Sequence, residues 1–378
     1  MFKTTNIESL PDDIIIEILV RVPAQDIYNA AKLVSRRWYK LIRTHDFVRS
    51  HLQQSTCGLL IHNWNRNFNR NKPIFVATQK GRIEISNIDY KFTREVLSSC
   101  NGLILERGGP DHCDLYITNP ATKQHFALPT MKIMTPYIWS AIAYAAAAMK
   151  YKVVSSFFCH ERNPASRGCV ILTVGVDKDW TRRVNIQHLT RAAEGLLDQR
   201  PLATQGFVHW AQGYNSDYVL SLNIETEIIK QFPVPPCLRR HDGEPKLMYP
   251  YRYLPMGSHL SLVIGRSKFS WDQVWEMNPE TGEWTMVASI NDSEAREKWT
   301  FEGGLSALDC KLWPIGWSKL GEVLVFRVIM PSVYYDNRFY PNELYIAYNV
   351  RANEIIDSFE LKYYDSNIVH RNSLAWWF

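Results

Sequence analysis

SLPDDIIIEILVRVPAQDIYNAAKLVSRRWYKLI, residues 9–42, decides how the chain is organised, because its apolar residues recur at the spacing of a helix. Pro11 suits a first helical turn, and Asp12 and Asp13 place negative charge at the positive end of the helix dipole. Pro23 ends this first helix. Two more helices follow, and Ser35 is placed to cap the last of them. The stretch therefore predicts three short helices.

The first helix is apolar on more than one side. Its apolar residues form one broad face and a second, smaller one, and they are Ile14, Ile15, Ile16, Ile18, Leu19, Val20 and Val22. Only Glu17 and Arg21 give it a polar side. Domains of fewer than about 40 residues seldom stabilise themselves without help, so the surplus apolar surface needs a partner. We therefore predict a docking element; the alternative is a self-contained bundle in which Trp38 is an ordinary core residue.

Four parts of this stretch also resemble a known motif in their order and spacing. They are Leu10–Asp12, Glu17–Pro23, Val34–Trp38 and Leu41–Ile42, and together they resemble the F-box, the helical motif that binds the small Skp-type adaptor of SCF ubiquitin ligases. A self-contained bundle would not need apolar residues on both sides of its first helix, which favours the F-box interpretation. The resemblance implies adaptor-facing side chains at Leu10, Pro11, Ile18, Leu19, Pro23 and Trp38.

The composition of the 378 residues is that of a folded protein, with 46% hydrophobic, 21% charged and 13% aromatic residues. There is no apolar run of the ~18 residues that a membrane helix needs and no basic-then-apolar leader, so we expect no membrane contact and a location in the nucleus, the cytoplasm or both. Seven scattered cysteines without a C-x-x-C pair fit reduced thiols. The net charge of +5 does not demand a polyanionic partner, so no nucleic-acid partner is expected.

After about residue 60 the apolar period changes from that of a helix to that of a strand. One hairpin pattern recurs, strand, Asn-centred turn, strand, at Asn119, Asn223, Asn278 and Asn349. These asparagines are 104, 55 and 71 positions apart, near multiples and halves of the kelch period of about 50 residues. Such hairpins predict the blades of a kelch-like propeller, about six of them.

Two details of this body need separate predictions. The alanine-rich stretch Tyr144–Lys150 has the propensity of a helix, but we expect a pair of strands joined by an irregular turn. His209 follows a glycine inside a predicted strand, so it is expected to fill a blade interior with its imidazole bonded to a backbone carbonyl.

Several strings in the body resemble the F-box-associated domain of the large F-box families of plants. They are Ser99–Ile104, Asn119–Thr122, Tyr151–Val154, Gly206–Trp210 and Val274–Met277. The expected fold is accordingly α+β and multidomain, a small N-terminal three-helix F-box followed by an all-β, kelch-like propeller. The expected divisions are an F-box module at 1–55, a connecting segment with the first strands at 56–94, and an F-box-associated propeller-like domain at 95–378.

Motifs for reaction chemistry are missing from the sequence: it has no G-x-S-x-G, no H-E-x-x-H, no phosphate-binding glycine loop and no Cys/His cluster at metal spacing. We therefore predict no catalytic residues, no metal and no cofactor. The resemblance implies a non-catalytic substrate receptor that joins the adaptor, and through it the cullin and RING subunits, to a target protein. The alternatives are a propeller that binds a small molecule or glycan apart from the ligase, and a propeller enzyme with a dispersed site.

Two stretches rich in tyrosine and arginine are the candidate contacts for the target protein, because both residue types are enriched at interface hot spots. The candidates are Tyr249, Tyr251, Arg252, Tyr253, Tyr334, Tyr335 and Arg338. The alternative is that these tyrosines pack inside strands and between blades.

Overall fold

The computed structural model describes residues 10–62, 72–108, 114–131, 138–159, 166–211, 216–238, 250–265, 271–290, 311–329, 342–362 and 366–376. Its first part is helical. The helices are α1 (Asp12–Leu19), α2 (Ala24–Asp26), a π-helical turn (Ile27–Ala31), α3 (Lys32–Val34), α4 (Arg36–Leu41) and α5 (His45–Gln54), with a later short helix, α6 (Arg191–Glu194), and 3₁₀ turns at Gly195–Asp198 and Pro236–Leu238. The predicted cap is confirmed, because the Ser35 hydroxyl accepts a hydrogen bond from the Trp38 backbone N–H at 3.2 Å.

All the other regular elements of the described chain are strands. The first twelve are β1 (Cys57–His62), β2 (Ile74–Gln79), β3 (Arg82–Asn87), β4 (Glu95–Cys100), β5 (Leu103–Gly108), β6 (Asp114–Asn119), β7 (Gln124–Ala127), β8 (Ile138–Ala145), β9 (Lys150–Cys159), β10 (Ser166–Thr173), β11 (Arg182–Arg183) and β12 (Leu202–Thr204). The next twelve are β13 (Phe207–Trp210), β14 (Tyr218–Asn223), β15 (Ile229–Pro233), β16 (Tyr251–Met256), β17 (His259–Gly265), β18 (Trp271–Met277), β19 (Trp284–Ser289), β20 (Lys311–Lys319), β21 (Val323–Ile329), β22 (Asn342–Asn349), β23 (Glu354–Lys362) and β24 (Ser366–Arg371).

The strands form six antiparallel sheets of four strands each. Blade 1 has the order β24-β1-β2-β3, and blades 2 to 6 take the remaining strands four at a time in chain order. The first strand of each sheet lies against the first strands of the neighbouring sheets, so these six inner strands surround a central channel. The predicted fold is confirmed: N-terminal helices precede an all-β propeller, and the expected number of about six blades is correct.

Blade 1 joins the two ends of the propeller. Its inner strand β24 pairs along its whole length with β1, from Cys57 opposite Arg371 to His62 opposite Ser366. The segment 56–94 thus contributes three strands to the ring, while the last strand of the chain completes their sheet. The six inner strands are the sheet edges at the channel, and the closed ring of blades keeps these edges short and protected. The divisions expected after residues 55 and 94 stay predictions.

The Asn-centred turns all connect the third and fourth strands of a blade. Each asparagine side chain accepts a hydrogen bond from the backbone N–H two residues later, at 2.9 Å for Asn119, 2.8 Å for Asn223, 2.9 Å for Asn278 and 3.0 Å for Asn349. Four residues after each asparagine the backbone has a positive φ, between 57° and 76°. The repeat seen in the sequence is therefore one turn used in four blades.

The alanine-rich stretch forms a hairpin rather than a helix. Strands β8 and β9 pair from Ile138 opposite Phe157 to Ala145 opposite Lys150, which confirms the predicted pair of strands. Met149 ends the turn with a φ of 52°. Long-range strand pairing therefore overrides the local preference of alanine for a helix.

His209 lies in β13 and is fully buried in a blade, as expected. The prediction of a backbone-carbonyl partner is wrong. Its Nε2 bonds with the Thr204 hydroxyl at 2.8 Å and its Nδ1 with the Ser221 hydroxyl at 3.0 Å. The backbone of β13 and its neighbours is already engaged in strand pairing, so side-chain hydroxyls on the two flanking strands satisfy the ring.

Apolar clusters fill all six interfaces between neighbouring blades. Two buried tryptophans also hydrogen-bond across an interface. Trp210 donates to the Ser156 hydroxyl at 3.1 Å, and Trp317 donates to the Ser261 hydroxyl at 3.0 Å. The propeller is therefore a ring of blades that share their cores with their neighbours.

Candidate functional site

The helices α1 to α4 expose large apolar side chains that the rest of the described chain leaves uncovered. Leu33 is 74% exposed and Ile18 is 45% exposed. We call the whole group the helix surface, and it consists of Ile14, Ile18, Leu33, Val34 and Tyr39. Several large exposed apolar side chains on one small helical module are typical of a protein-binding surface.

The structure separates the six predicted adaptor contacts into two groups. Pro11, Ile18 and Pro23 are exposed, and Leu10 is half-buried. In contrast, Leu19 is 2% exposed and Trp38 is 8% exposed, because both lie in the core of the helices. Trp38 Nε1 is buried and has no hydrogen-bond partner among the described residues. The role of these six residues as adaptor contacts stays a prediction.

Sequence reasoning missed the most exposed apolar residue of the helices, Leu33. The next residue, Val34, is half exposed. A π-helical turn at Ile27–Ala31 precedes these residues and changes which side of the helix they occupy. Counting residues at the period of a regular α-helix therefore could not place them. The charged run that follows, Arg36 and Arg37, was the available signal that the surface begins here.

The end of the chain fastens the helices to the propeller. Leu374, which is 5% exposed, packs in the same apolar cluster as Ile15, Ile27 and Phe47. The Asn119 side chain, in a turn of blade 2, donates to the backbone carbonyls of Ser373 at 3.0 Å and of Ala375 at 2.7 Å. The helix surface is consequently held in a defined orientation to the blades.

Helix α5 is attached at both of its sides. The His51 imidazole Nε2 hydrogen-bonds with the Val22 carbonyl at 3.0 Å, and burial lowers the pKa of His51. On the propeller side, Arg371 donates to the Leu52 carbonyl at 3.1 Å. These contacts place α5 across one mouth of the central channel, where its residues line the cavity.

The central channel holds a cavity of about 620 Å³. Its wall includes the inner strands of all six blades and α5. The positively charged or histidine side chains in this wall are His45, Arg49, Arg200, Arg252, His370 and Arg371. A volume of this size falls within the usual range for small-molecule sites, about 300 to 1,000 Å³.

Three of the predicted target-protein contacts lie at or beside this channel. Tyr251, Arg252 and Tyr253 belong to the inner strand β16. Tyr253 is 2% exposed, and burial raises the pKa of its hydroxyl far above the usual value. Tyr253 packs in the cluster between blades 4 and 5, as the packing alternative expected. The other candidates, Tyr249, Tyr334, Tyr335 and Arg338, lie outside the described residues.

Within the described ranges, no three His, Cys, Asp or Glu side chains come together as a metal site would need. In that same part of the chain, no helix is both long and apolar enough to cross a bilayer.

Comparison with protein-family models gives two matches. An F-box domain matches residues 7–50, and an F-box associated beta propeller domain matches residues 52–249, about half of the chain. Neither description names an enzyme.

Among curated proteins, the F-box protein At5g49610 of Arabidopsis thaliana is 23% identical over 74% of this chain and 79% of its own length. A second Arabidopsis F-box protein, At3g23960, is 26% identical over 51% of this chain and 53% of its own length. A third, At1g46984, is 29% identical over 40% of this chain, and the match spans 44% of that relative.

Solved structures give weaker similarity. A chain of the nidogen/laminin complex has a TM-score of 0.44 and 10% identity over 84% of this chain and 99% of its own. The Dos1 propeller has a TM-score of 0.34 and 10% identity over 84% of this chain and 72% of its own. TM-scores below 0.5 do not establish a shared fold. The assignment of a six-bladed propeller therefore rests on the six sheets of the chain itself.

Proposed function

Because the chain belongs to the F-box proteins that carry an F-box associated beta propeller domain, we propose that it is a substrate-recognition subunit of an SCF-type ubiquitin ligase. In this role the helices bind a Skp-type adaptor, which in turn brings the cullin and RING subunits. The propeller holds a target protein. The chain itself makes and breaks no bond.

The observation that carries this proposal is the helix surface. The helices are packed together and fixed to the propeller, yet they expose large apolar side chains, namely Leu33, Val34, Ile14 and Ile18. Leaving such residues exposed brings no benefit to a propeller that acts alone. A partner that covers them gains roughly 25 cal/mol for each Å² of apolar surface removed from water.

The rigid attachment of the helices supports the same role. Tethering a target beside a ubiquitin-carrying enzyme raises the effective concentration of the target. This works only when the receptor can hold the adaptor and the target at the same time. Asn119, Leu374 and Arg371 hold the helix surface and the blades in one arrangement. A fixed separation between adaptor and target therefore favours transfer by proximity.

The target surface is a finer proposal. We assign it to the propeller face opposite the helices. Among the described residues Tyr251 is the first candidate, since Tyr253 packs between blades. Antiparallel four-stranded blades support this choice, because the turns that touch the helices, such as the one at Asn119, occupy one face and leave the other face to a partner. The proposed location of the assembly is the nucleus, the cytoplasm or both.

The experiment introduces the same charged residue, aspartate, at exposed leucine and isoleucine positions, whose side chains have the same size. Leu33→Asp and Ile18→Asp are each expected to weaken binding to a purified Skp-type adaptor by at least about tenfold, because central interface residues carry about 2 kcal/mol or more. The matched control is Ile85→Asp on β3 of blade 1, since Ile85 is as exposed as Ile18, at 45% each. Isothermal titration calorimetry supplies the affinities.

Exposed positions make this test independent of folding. Circular dichroism and unfolding midpoints should be unchanged in all three variants, since surface substitutions usually alter stability by at most about 0.5 kcal/mol. Full adaptor affinity in Leu33→Asp and Ile18→Asp would overturn the proposed interface. Equal loss in Ile85→Asp would point to a non-specific effect of charge and overturn it as well.

A further inference from the structure

The cavity in the central channel has an unbalanced charge. Four arginines are in its wall, namely Arg49, Arg200, Arg252 and Arg371, and none of the described residues that line it is Asp or Glu. These arginines come from α5, from the start of blade 4, from β16 and from β24, so the chain brings them together only by folding. Arg49 is exposed, whereas Arg200, Arg252 and Arg371 are half-buried. Cationic side chains seldom lose water without a counter-charge, because removing them from water is costly.

Two of these arginines are held by neutral groups. Arg200 donates to the carbonyls of Val96 and Leu97 at 2.9 Å and 2.8 Å. Arg371 donates to the Leu52 carbonyl at 3.1 Å. Carbonyl partners fix the guanidinium groups in position but leave their charges uncompensated. Glu95 is in electrostatic reach of Arg200, but its carboxylate is already paired with Arg107 at 2.6 Å.

Arg252 is the clearest sign of a missing partner. Its Nε–H is buried and donates to no acceptor among the described residues, and its guanidinium lies 5.2 Å from the ring centre of Trp313. Burial, with the nearby positive charge of Arg200, lowers the pKa of Arg252 to about 10. Two like charges thus destabilise each other inside one cavity.

A buried histidine also has a ring nitrogen without a hydrogen-bond partner among the described residues. His370 is 2% exposed and lines the cavity. Its Nδ1 bonds with the Ser99 hydroxyl at 2.9 Å, while its Nε2 has no partner among the described residues. When the Ser99 hydroxyl is the donor, Nε2 carries a proton that is free to bind an acceptor.

From this arrangement we propose that the central channel binds a small polyanion, a molecule carrying several phosphate or carboxylate groups. Guanidinium groups present paired N–H donors that match the oxygens of phosphate and carboxylate. Four of them around a cavity of about 620 Å³ suit a compact ligand with several such groups. The site does not depend on the adaptor, so it can be present whether or not the helix surface is occupied.

Calorimetric titration of the full chain with tripolyphosphate, and separately with citrate, tests the site. Salt is kept at about 0.15 M to screen weak surface attraction. At least one of the two anions is expected to bind with a single stoichiometric site, and which one binds better shows whether phosphate or carboxylate is the natural group. Glucose, a neutral molecule that fits the cavity, should not bind.

Arg252→Gln separates a binding role from a structural one. It should weaken anion binding by at least about tenfold, because it removes a guanidinium that donates charge-assisted hydrogen bonds to the anion. The unfolding midpoint of the ligand-free variant should stay the same or rise, since an uncompensated buried charge is removed. The control Arg82→Gln removes the same charge from the exposed outer strand β3.

Failure of both anions to bind overturns the proposal. So does equal weakening by Arg252→Gln and Arg82→Gln, which would mean general surface charge, or full affinity in Arg252→Gln. Adaptor affinity, measured on the same variants, is expected to be unchanged, so the outcome here is separate from the outcome for the helix surface.

Discussion

The helical module and the propeller place their apolar and charged residues in opposite ways. The helices leave Leu33 and Ile18 at the surface, although apolar side chains ordinarily lie inside. The propeller buries its apolar residues between blades and carries arginines and neutral histidines in its interior. Each of these arrangements would be stabilised by a second molecule. An apolar protein surface would cover the exposed residues of the helices, and an anion would compensate the positive charges in the channel.

The largest expected effect tests the contrast in packing. Trp317→Ala should destabilise the chain by about 3 to 5 kcal/mol, because Trp317 is fully buried between blades and its indole N–H bonds with Ser261. Leu33→Ala should change stability by at most about 0.5 kcal/mol, because Leu33 touches solvent. Urea unfolding followed by tryptophan fluorescence and circular dichroism measures both.

Trp317→Phe is the matched control, and it should recover part of the loss because a ring still fills the space. A Leu33→Ala variant as unstable as Trp317→Ala would break the comparison, since the helix surface would then be part of the core of the free chain.

The second prediction concerns acid. Burial lowers the pKa of both His209 and His370 to about 3. The unfolded chain takes up these protons near pH 6.5 and the folded chain does not, so stability is fully present above about pH 6.5 and falls as the pH drops towards 3. Each histidine contributes up to about 1.4 kcal/mol per pH unit, at most about 4 kcal/mol for both between pH 6.5 and 5.

The free energy of unfolding, measured in urea at several pH values, gives the slope. His209→Gln with His370→Gln should flatten it, whereas His125→Gln on the exposed strand β7 should leave it unchanged. His51 in the helices, whose pKa burial also lowers, adds a smaller dependence of the same sign. An unaltered slope in the double variant would show that the interior histidines of the blades are not what makes the propeller sensitive to acid.

How much the sequence could predict differs between the two regions as well. The strand period, the Asn-centred turns and the cap at Ser35 are local, and all of them were predictable. The π-helical turn that exposes Val34 depends on packing of whole helices, and the partners of His209 depend on which strands flank it. The four channel arginines are up to 322 positions apart, between Arg49 and Arg371, so no spacing rule could bring them together.

The smallest expected effect tests the connection between the two regions. Asn119→Ala removes the donors to the Ser373 and Ala375 carbonyls and also the turn bond to Ala121. Asn349→Ala removes an equivalent turn bond in blade 6 without touching the end of the chain. Because buried carbonyls without partners cost about 1 to 3 kcal/mol, Asn119→Ala should be the less stable of the two by about that amount.

The test depends on where in the structure Asn119→Ala lowers stability, more than on how large the decrease is. If the end of the chain holds the helices on the blades, amide hydrogen exchange in Asn119→Ala should rise mainly in α5 and in residues 372–376, while the blade cores keep their protection. Asn349→Ala should show no such rise. Uniform exchange across all blades in Asn119→Ala would mean that helices and propeller unfold as one unit, and the two regions would then differ in their surfaces but not in their stability.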